Sequence, residues 1–271
     1  KLAAADHRPQ GELCLAVQRL LRVIGHRHAL PRINDAVVHD RVHTQRDLVR
    51  GHDILARDVE CRLAQVHREE LDLRHVLPER VTEDLPKAVE AVRKAGLNVF
   101  MITTGINNAA APYAENVLKT ATGLGILHYR TGYLHYDEAK SVEENLEVMQ
   151  EQLAGLAALN KKYAINGEYQ NHSGNYFGAA IWDLYMVLKR IKSSWMGSQY
   201  AILHATVEGA NTWPTGLKLL KPYIKSIDIK DFQWSKKDGK WMAEMVPLGD
   251  GLVDLKKYLS LLKQYDIRVP M

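Results

Sequence analysis

Beyond residue 80 the apolar positions of this chain alternate between helical spacing, three to four residues apart, and short unbroken runs typical of buried strands. Leu85, Val89 and Val92 share one helical face. Thr82 stands where an N-cap would, Glu83 and Asp84 fill the first turn, Arg93 and Lys94 the last, and Gly96 ends the segment. A β-rich run, 98–103 (NVFMIT), follows. The pattern then predicts a helix over 112–122, stopped by Gly123 and Gly125, and a strand over 126–131. Ser141 and Glu144 have the spacing of a capping box ahead of a long helix that buries Leu146, Met149, Leu153 and Leu156. Further strands are expected over 163–169, 199–204 and 225–231, with helices over 179–191 and after Pro214. Residues 235–245 break the alternation around Asp238-Gly239, a hairpin signal. A last helix, 252–264, leads to a stub at 267–271.

Five strands alternating with helices imply parallel βαβ units, and no GxGxxG turn marks a dinucleotide-binding sheet. The expected fold is α/β, a (β/α)8 TIM-barrel-like architecture that is incomplete. Its first strands are atypical, and the eighth is missing, because Met271 falls about where that strand would begin.

Composition divides the chain. Residues 1–75 hold twelve of the seventeen Arg, eight of the twelve His and a single Lys, with no aromatic residue other than His and no Met. The remainder is Lys-rich and carries every Phe, Trp, Tyr and Met. The expected domains are therefore an atypical Arg/His-rich segment, 1–75, and a barrel-like domain, 76–271. Leu13, Val17, Leu20, Leu21 and Ile24 outline a helical face in the first, although translation from a shifted frame would give the same bias. Its scattered His lack the repeated short spacing of a closed metal site.

With 36 basic against 32 acidic residues and no long run of like charge, nucleic acid is not an expected partner. No apolar stretch is long enough for a bilayer and no signal peptide is evident, so a soluble protein without membrane contact is expected; its location is open. Cys14 and Cys61 suit neither a CxxC pair nor a disulfide framework.

In such barrels chemistry gathers at the C-terminal ends of the strands. Those ends supply Arg130, then Glu168, Gln170 and His172, then His204 and Glu208, and finally Asp228, Lys230 and Asp231. The segments YQNHSG (169–174), HATVEG (204–209), IKDF (229–232) and VPLGDG (246–251) resemble, in order and spacing, the xylose-isomerase-like sugar isomerase/epimerase family over about residues 76–270. The resemblance implies action on a sugar or keto-sugar by proton transfer next to a carbonyl, assisted by a divalent metal (Mn, Mg, Co or Zn). Residue by residue, Gln170 stands where the family has a metal-binding Glu, Ala201 where it has an Asp, and Asp228 where it has a His. The substrate-type His is retained as His204. Gln170 and Asp228 are thus weak metal candidates, since an amide and one carboxylate make a poor cage.

Glu168, His204 and Lys230 are the catalytic candidates, with Asp228 as an alternative proton carrier. Arg130, His172, Glu208, Asp231 and Trp213 are candidate substrate contacts. Each has a plainer reading: a turn for His172, a buried hydrogen-bonded ring for His204, a rim ion pair for Lys230 and Asp231, packing for Trp213. Two functions remain open, an isomerase or epimerase and a non-catalytic carbohydrate-binding relative that has lost its metal. A DNA-repair endonuclease of the same superfamily would need a His- and carboxylate-rich zinc site that these strand ends lack. An open sheet edge would be coverable by a second protomer, making a homo-oligomer the expected assembly.

Overall fold

A computed structural model describes the backbone of residues 68–72 and the full structure of residues 76–271. The helical face expected over 13–24 lies outside the described residues. Six parallel strands lie in chain order in one sheet: β1 (Arg68–Asp72), β2 (Asn98–Thr103), β3 (His128–Arg130), β4 (Asn166–Gln170), β5 (Met196–Ala201) and β6 (Ile224–Asp228). Each pairs with the next through a crossover that contains a helix, as the alternation of periods predicts. The crossover helices are α1 (Val81–Lys94), α2 (Ala114–Gly123), α3 (Val142–Tyr163) and α4 (Trp182–Ile191), with α5 (Ile202–Gly209) and α6 (Trp213–Leu220) between β5 and β6. β1 precedes residue 76, where the barrel-like part was expected to begin, and brings the strands to six instead of five.

The sheet curls. Neighbouring strands lie about 4.8 Å apart, so β2 and β5 would be roughly 14 Å apart in a flat sheet. Yet Gln199 Nε2 of β5 is 3.2 Å from the sulfur of Met101 on β2. Alternate residues therefore line a concave interior, among them Met101, His128, Arg130, Glu168, Gln170, Gln199, Ser226 and Asp228. The intervening Ile102, Tyr129, Tyr169, Tyr200 and Ile227 pack outward in the core with Leu85, Leu118, Leu153, Leu184 and Leu217 of the helices. Together the described strands form an incomplete barrel. Beyond β6 the terminal stub adds one ladder bond, from Ile227 N to the Pro270 carbonyl at 2.8 Å.

Local signals account for most boundaries. Ser141 and Glu144 form the capping box that opens α3. Asp238 and Gly239 both adopt positive φ (52° and 79°), which makes the tight turn between β7 (Asp231–Lys237) and β8 (Lys240–Val246). Asp254 caps α7 (Leu255–Gln264). Three expectations are corrected. α1 begins at Val81 after a 3-10 turn, so Thr82 lies inside the helix and Arg80 takes the cap position without a side-chain bond. β5 stops at Ala201 and the chain turns directly into α5, which puts His204 in a first helical turn and not at a strand end. β6 ends at Asp228, so Lys230 lies in a short link and Asp231 opens the hairpin.

Candidate active site at the strand ends

Residues from β3, β4, β5 and β6 converge where the strands end. The Gln170 oxygen accepts from Arg130 Nη1 at 2.8 Å and from Tyr133 Oη at 2.6 Å. Its nitrogen donates to Gln199 Oε1 and to Asp228 Oδ2, both at 2.9 Å. Lys230 Nζ donates to the same Asp228 oxygen at 2.6 Å. One carboxamide thus joins a guanidinium, a phenol, a second carboxamide and a carboxylate, and it is itself buried. Burial raises the Tyr133 phenol above its usual range, so it serves here as a neutral hydroxyl.

The rim beside this network is aromatic. The rings of His172 and His204 lie 3.9 Å apart, and Tyr133 and Tyr176 meet His172 at 5.0 and 4.9 Å. His204 Nδ1 pairs with the Ser173 hydroxyl at 2.9 Å, and His172 Nδ1 with the Ser173 carbonyl at 2.8 Å. Burial, with help from His172, Lys230 and Arg130, pushes the His204 pKa down to about 3. At neutral pH it is therefore an uncharged ring that can accept or donate a hydrogen bond. At the outer edge Glu208 accepts from Gly174 N at 2.8 Å, which ties α5 to the turn after β4. Close backbone approach shapes the opposite side: a Cβ on Gly132 would lie 2.4 Å from the Gly105 carbonyl oxygen, so the loops after β2 and β3 touch.

Three sequence candidates lie elsewhere. Glu168 sits one layer deeper, with its side chain fully buried. One carboxylate oxygen pairs with His128 Nδ1 at 2.5 Å and the other accepts from the Ser226 hydroxyl. Burial raises its pKa, and no face of it is open to a ligand. Asp231 is a loop clamp: its buried carboxylate accepts from the backbone N–H groups of Phe232, Gly249, Gly251 and Val253. Trp213 is buried edge-on against Tyr258, and its carbonyl accepts from the Tyr200 hydroxyl. Of the sequence candidates, Arg130, Gln170, His172, His204, Asp228 and Lys230 are the ones brought together.

Tyr133, Tyr176, Ser173 and Gln199 join the cluster although the sequence did not single them out. Tyr133 is three residues past Arg130 and Tyr176 closes the turn that begins with His172, so the aromatic content of the strand-end loops was the available signal. The shallow hollows around Tyr185, one with Lys189 and Arg190 and one with Lys218 and Tyr223, lie on the outer helices near the opposite ends of β5 and β6.

The residues here do not fit a divalent cation. Among the described residues no group of three or more His, Cys, Asp or Glu could hold a metal ion. Both lone-pair directions of the Gln170 oxygen are engaged by Arg130 and Tyr133, and an ammonium touches the nearest carboxylate oxygen. A hard divalent ion wants several free oxygens or imidazoles.

Comparison with known proteins agrees with the fold. No protein of curated function matches the sequence. Among solved structures, the IOLI protein with a bound zinc atom superposes with a TM-score of 0.62 at 18% identity, covering 80% of this chain and 82% of that one. A D-allulose 3-epimerase from Methylomonas sp. in complex with D-allulose gives 0.56 at 15% identity, over 74% and 70% of the two chains. A xylose isomerase-like TIM barrel protein from Mycobacterium smegmatis in complex with magnesium gives 0.57 at 11%, over 82% of each. The family model for the xylose isomerase-like TIM barrel matches residues 55–271, and by that match, with the curled parallel sheet behind it, this chain belongs to the xylose isomerase-like TIM barrel family.

Proposed function

We propose that this chain binds a sugar or keto-sugar at the C-terminal strand ends and moves a proton next to its carbonyl, as an isomerase or epimerase. The observation that carries the reading is the Asp228–Lys230 pair. An ammonium that is 42% exposed lies 2.6 Å from a carboxylate that is 18% exposed, so both reach a ligand that the fully buried Glu168 cannot. Asp228 is then the group that takes the proton, with Lys230 and neutral His204 hydrogen-bonded to substrate oxygens. Arg130, His172 and Glu208 define the walls, and the Tyr133, His172, Tyr176 surface suits the apolar face of a sugar ring. The fold supports the substrate class only by analogy, since one neighbour of that fold holds D-allulose.

Incubation of the protein with D-fructose and D-allulose in deuterated water, followed by proton NMR, tests the proposal. Deuterium entering the carbon beside the carbonyl, and absent with Asp228→Asn, is the expected result. A second reading, a non-catalytic sugar binder, is favoured by one feature: Asp228 is the only carboxylate among the residues that close β2 to β6. It predicts a sugar-induced rise in melting temperature with no exchange.

A further inference from the structure

The metal-poor chemistry of this site is organised and not merely degraded. Where the family places a carboxylate, Gln170 presents an amide nitrogen to Asp228 Oδ2 at 2.9 Å. A Glu there would set two carboxylates against each other and call for a cation between them. With an amide the carboxylate accepts a hydrogen bond from Gln170 and faces no second carboxylate there. Ala201 offers no side-chain donor, and its backbone N and O are both bonded to the Asn171 carboxamide. Among the described residues, Asp228 is paired with Lys230, whose ammonium has three N–H donors and uses one of them in this bond. A metal ligated through that oxygen would have to sit against the ammonium, at a cost that grows as water is excluded.

We propose that Lys230 does in this chain the work that a divalent cation does elsewhere in the family: its ammonium polarises the substrate carbonyl and holds the enediolate oxygen, so that the site works without metal. This rests on the isomerase reading above and assigns its electrophile. In the step, Asp228 takes the proton from the carbon beside the carbonyl. The C–H electron pair becomes the new C=C bond, and the carbonyl electrons move onto the oxygen that faces Lys230. Delivery of a proton from solvent water to the opposite face gives the epimer, and Asp228 then releases its own proton to solvent. Return of the proton from Asp228 to the neighbouring carbon, after a proton shift between the two oxygens, gives the isomer. Gln170 is a positioning residue that aims the Asp228 carboxylate through a hydrogen bond from its amide nitrogen.

The test uses the full chain, freed of metal by a chelator and dialysed. Calorimetric titration with manganese alone is expected to show no binding to the wild type and new binding to a Gln170→Glu, Lys230→Met double variant, which restores the carboxylate and removes the ammonium. Exchange of deuterium into D-fructose and D-allulose is expected to be the same with chelator as with manganese. Lys230→Met should abolish that exchange without rescue by metal, while Lys230→Arg keeps a part of it. Stoichiometric manganese binding to the wild type that Asp228→Asn removes would overturn the inference, as would a Lys230→Met variant that manganese restores. Either result leaves the isomerase reading intact. Absence of exchange in the wild type with and without metal instead defeats that reading and the inference together.

Discussion

The carboxamide of Gln170 reaches across β5 to Asp228, its nitrogen 2.9 Å from Oδ2, and this single bond ties β4 to β6 at the mouth of the curled sheet. The same side chain also satisfies Arg130, Tyr133 and Gln199. Replacing it by Leu, which is similar in size, removes a hydrogen-bond partner from each of these buried or half-buried groups. We expect Gln170→Leu to lose about 1–3 kcal/mol in urea denaturation, the cost of leaving such partners unmade. Ligand binding should weaken as well. Unchanged stability would mean that water or a rearranged Arg130 takes over.

His204 gives the site a pH dependence of known sign. Its folded-state pKa, about 3, lies below the ordinary value of 6.5, so the unfolded chain binds the extra proton first. The associated stability is present above about pH 6.5 and is lost as pH falls toward 3. His204→Gln should flatten that part of the profile, measured as melting temperature against pH.

Glu168 acts in the opposite sense. Burial raises its pKa, so the folded state holds the proton more tightly, and its contribution is present at low pH and lost as pH rises through the shifted value. Glu168→Gln should keep the bond from Ser226 and reduce the fall in stability on the alkaline side of 4.5, the ordinary value. A steeper fall would show that the His128–Glu168 hydrogen bond outweighs burial.

The loop 249–253 hangs on one side chain. Asp231→Ala removes the acceptor of four backbone N–H groups and is expected to cost at least about 3 kcal/mol, several unmet buried donors at roughly 1 kcal/mol or more each. Gly251→Ala should be comparably harmful, because its Cβ would come within 2.2 Å of Asp231 Oδ1 and 2.5 Å of the Phe232 carbonyl oxygen. Chemical denaturation and proteolysis near residue 250 would register both.

A local control is available in α3. Ser141→Ala breaks the capping box and is expected to cost about 1 kcal/mol by denaturation while leaving any exchange activity unchanged.

The sequence by itself determined the elements whose signals are local. The 3.6-residue stripe of α3 with its capping box, the β-rich run of β2 and the Asp-Gly turn of the hairpin are set by neighbours a few residues apart, and each appears where the pattern placed it. Alternation of the two periods dictated a parallel sheet, and the loops that follow its strands, with Arg130, His172 and Lys230, could be located from the same pattern.

Only the tertiary structure decided what each of those side chains does. Glu168 and Gln170 are two residues apart on one face of β4, yet one is sealed among His128 and Ser226 and the other reaches the strand ends. Asp231 reads in sequence as a partner of Lys230 but spends its carboxylate on a loop contributed twenty residues later. Depth in the barrel and the choice of hydrogen-bond partner come from the curl of the sheet, which brings β2 against β5 and β4 against β6. These contacts join residues 58 to 98 positions apart, a separation at which periodicity carries no information.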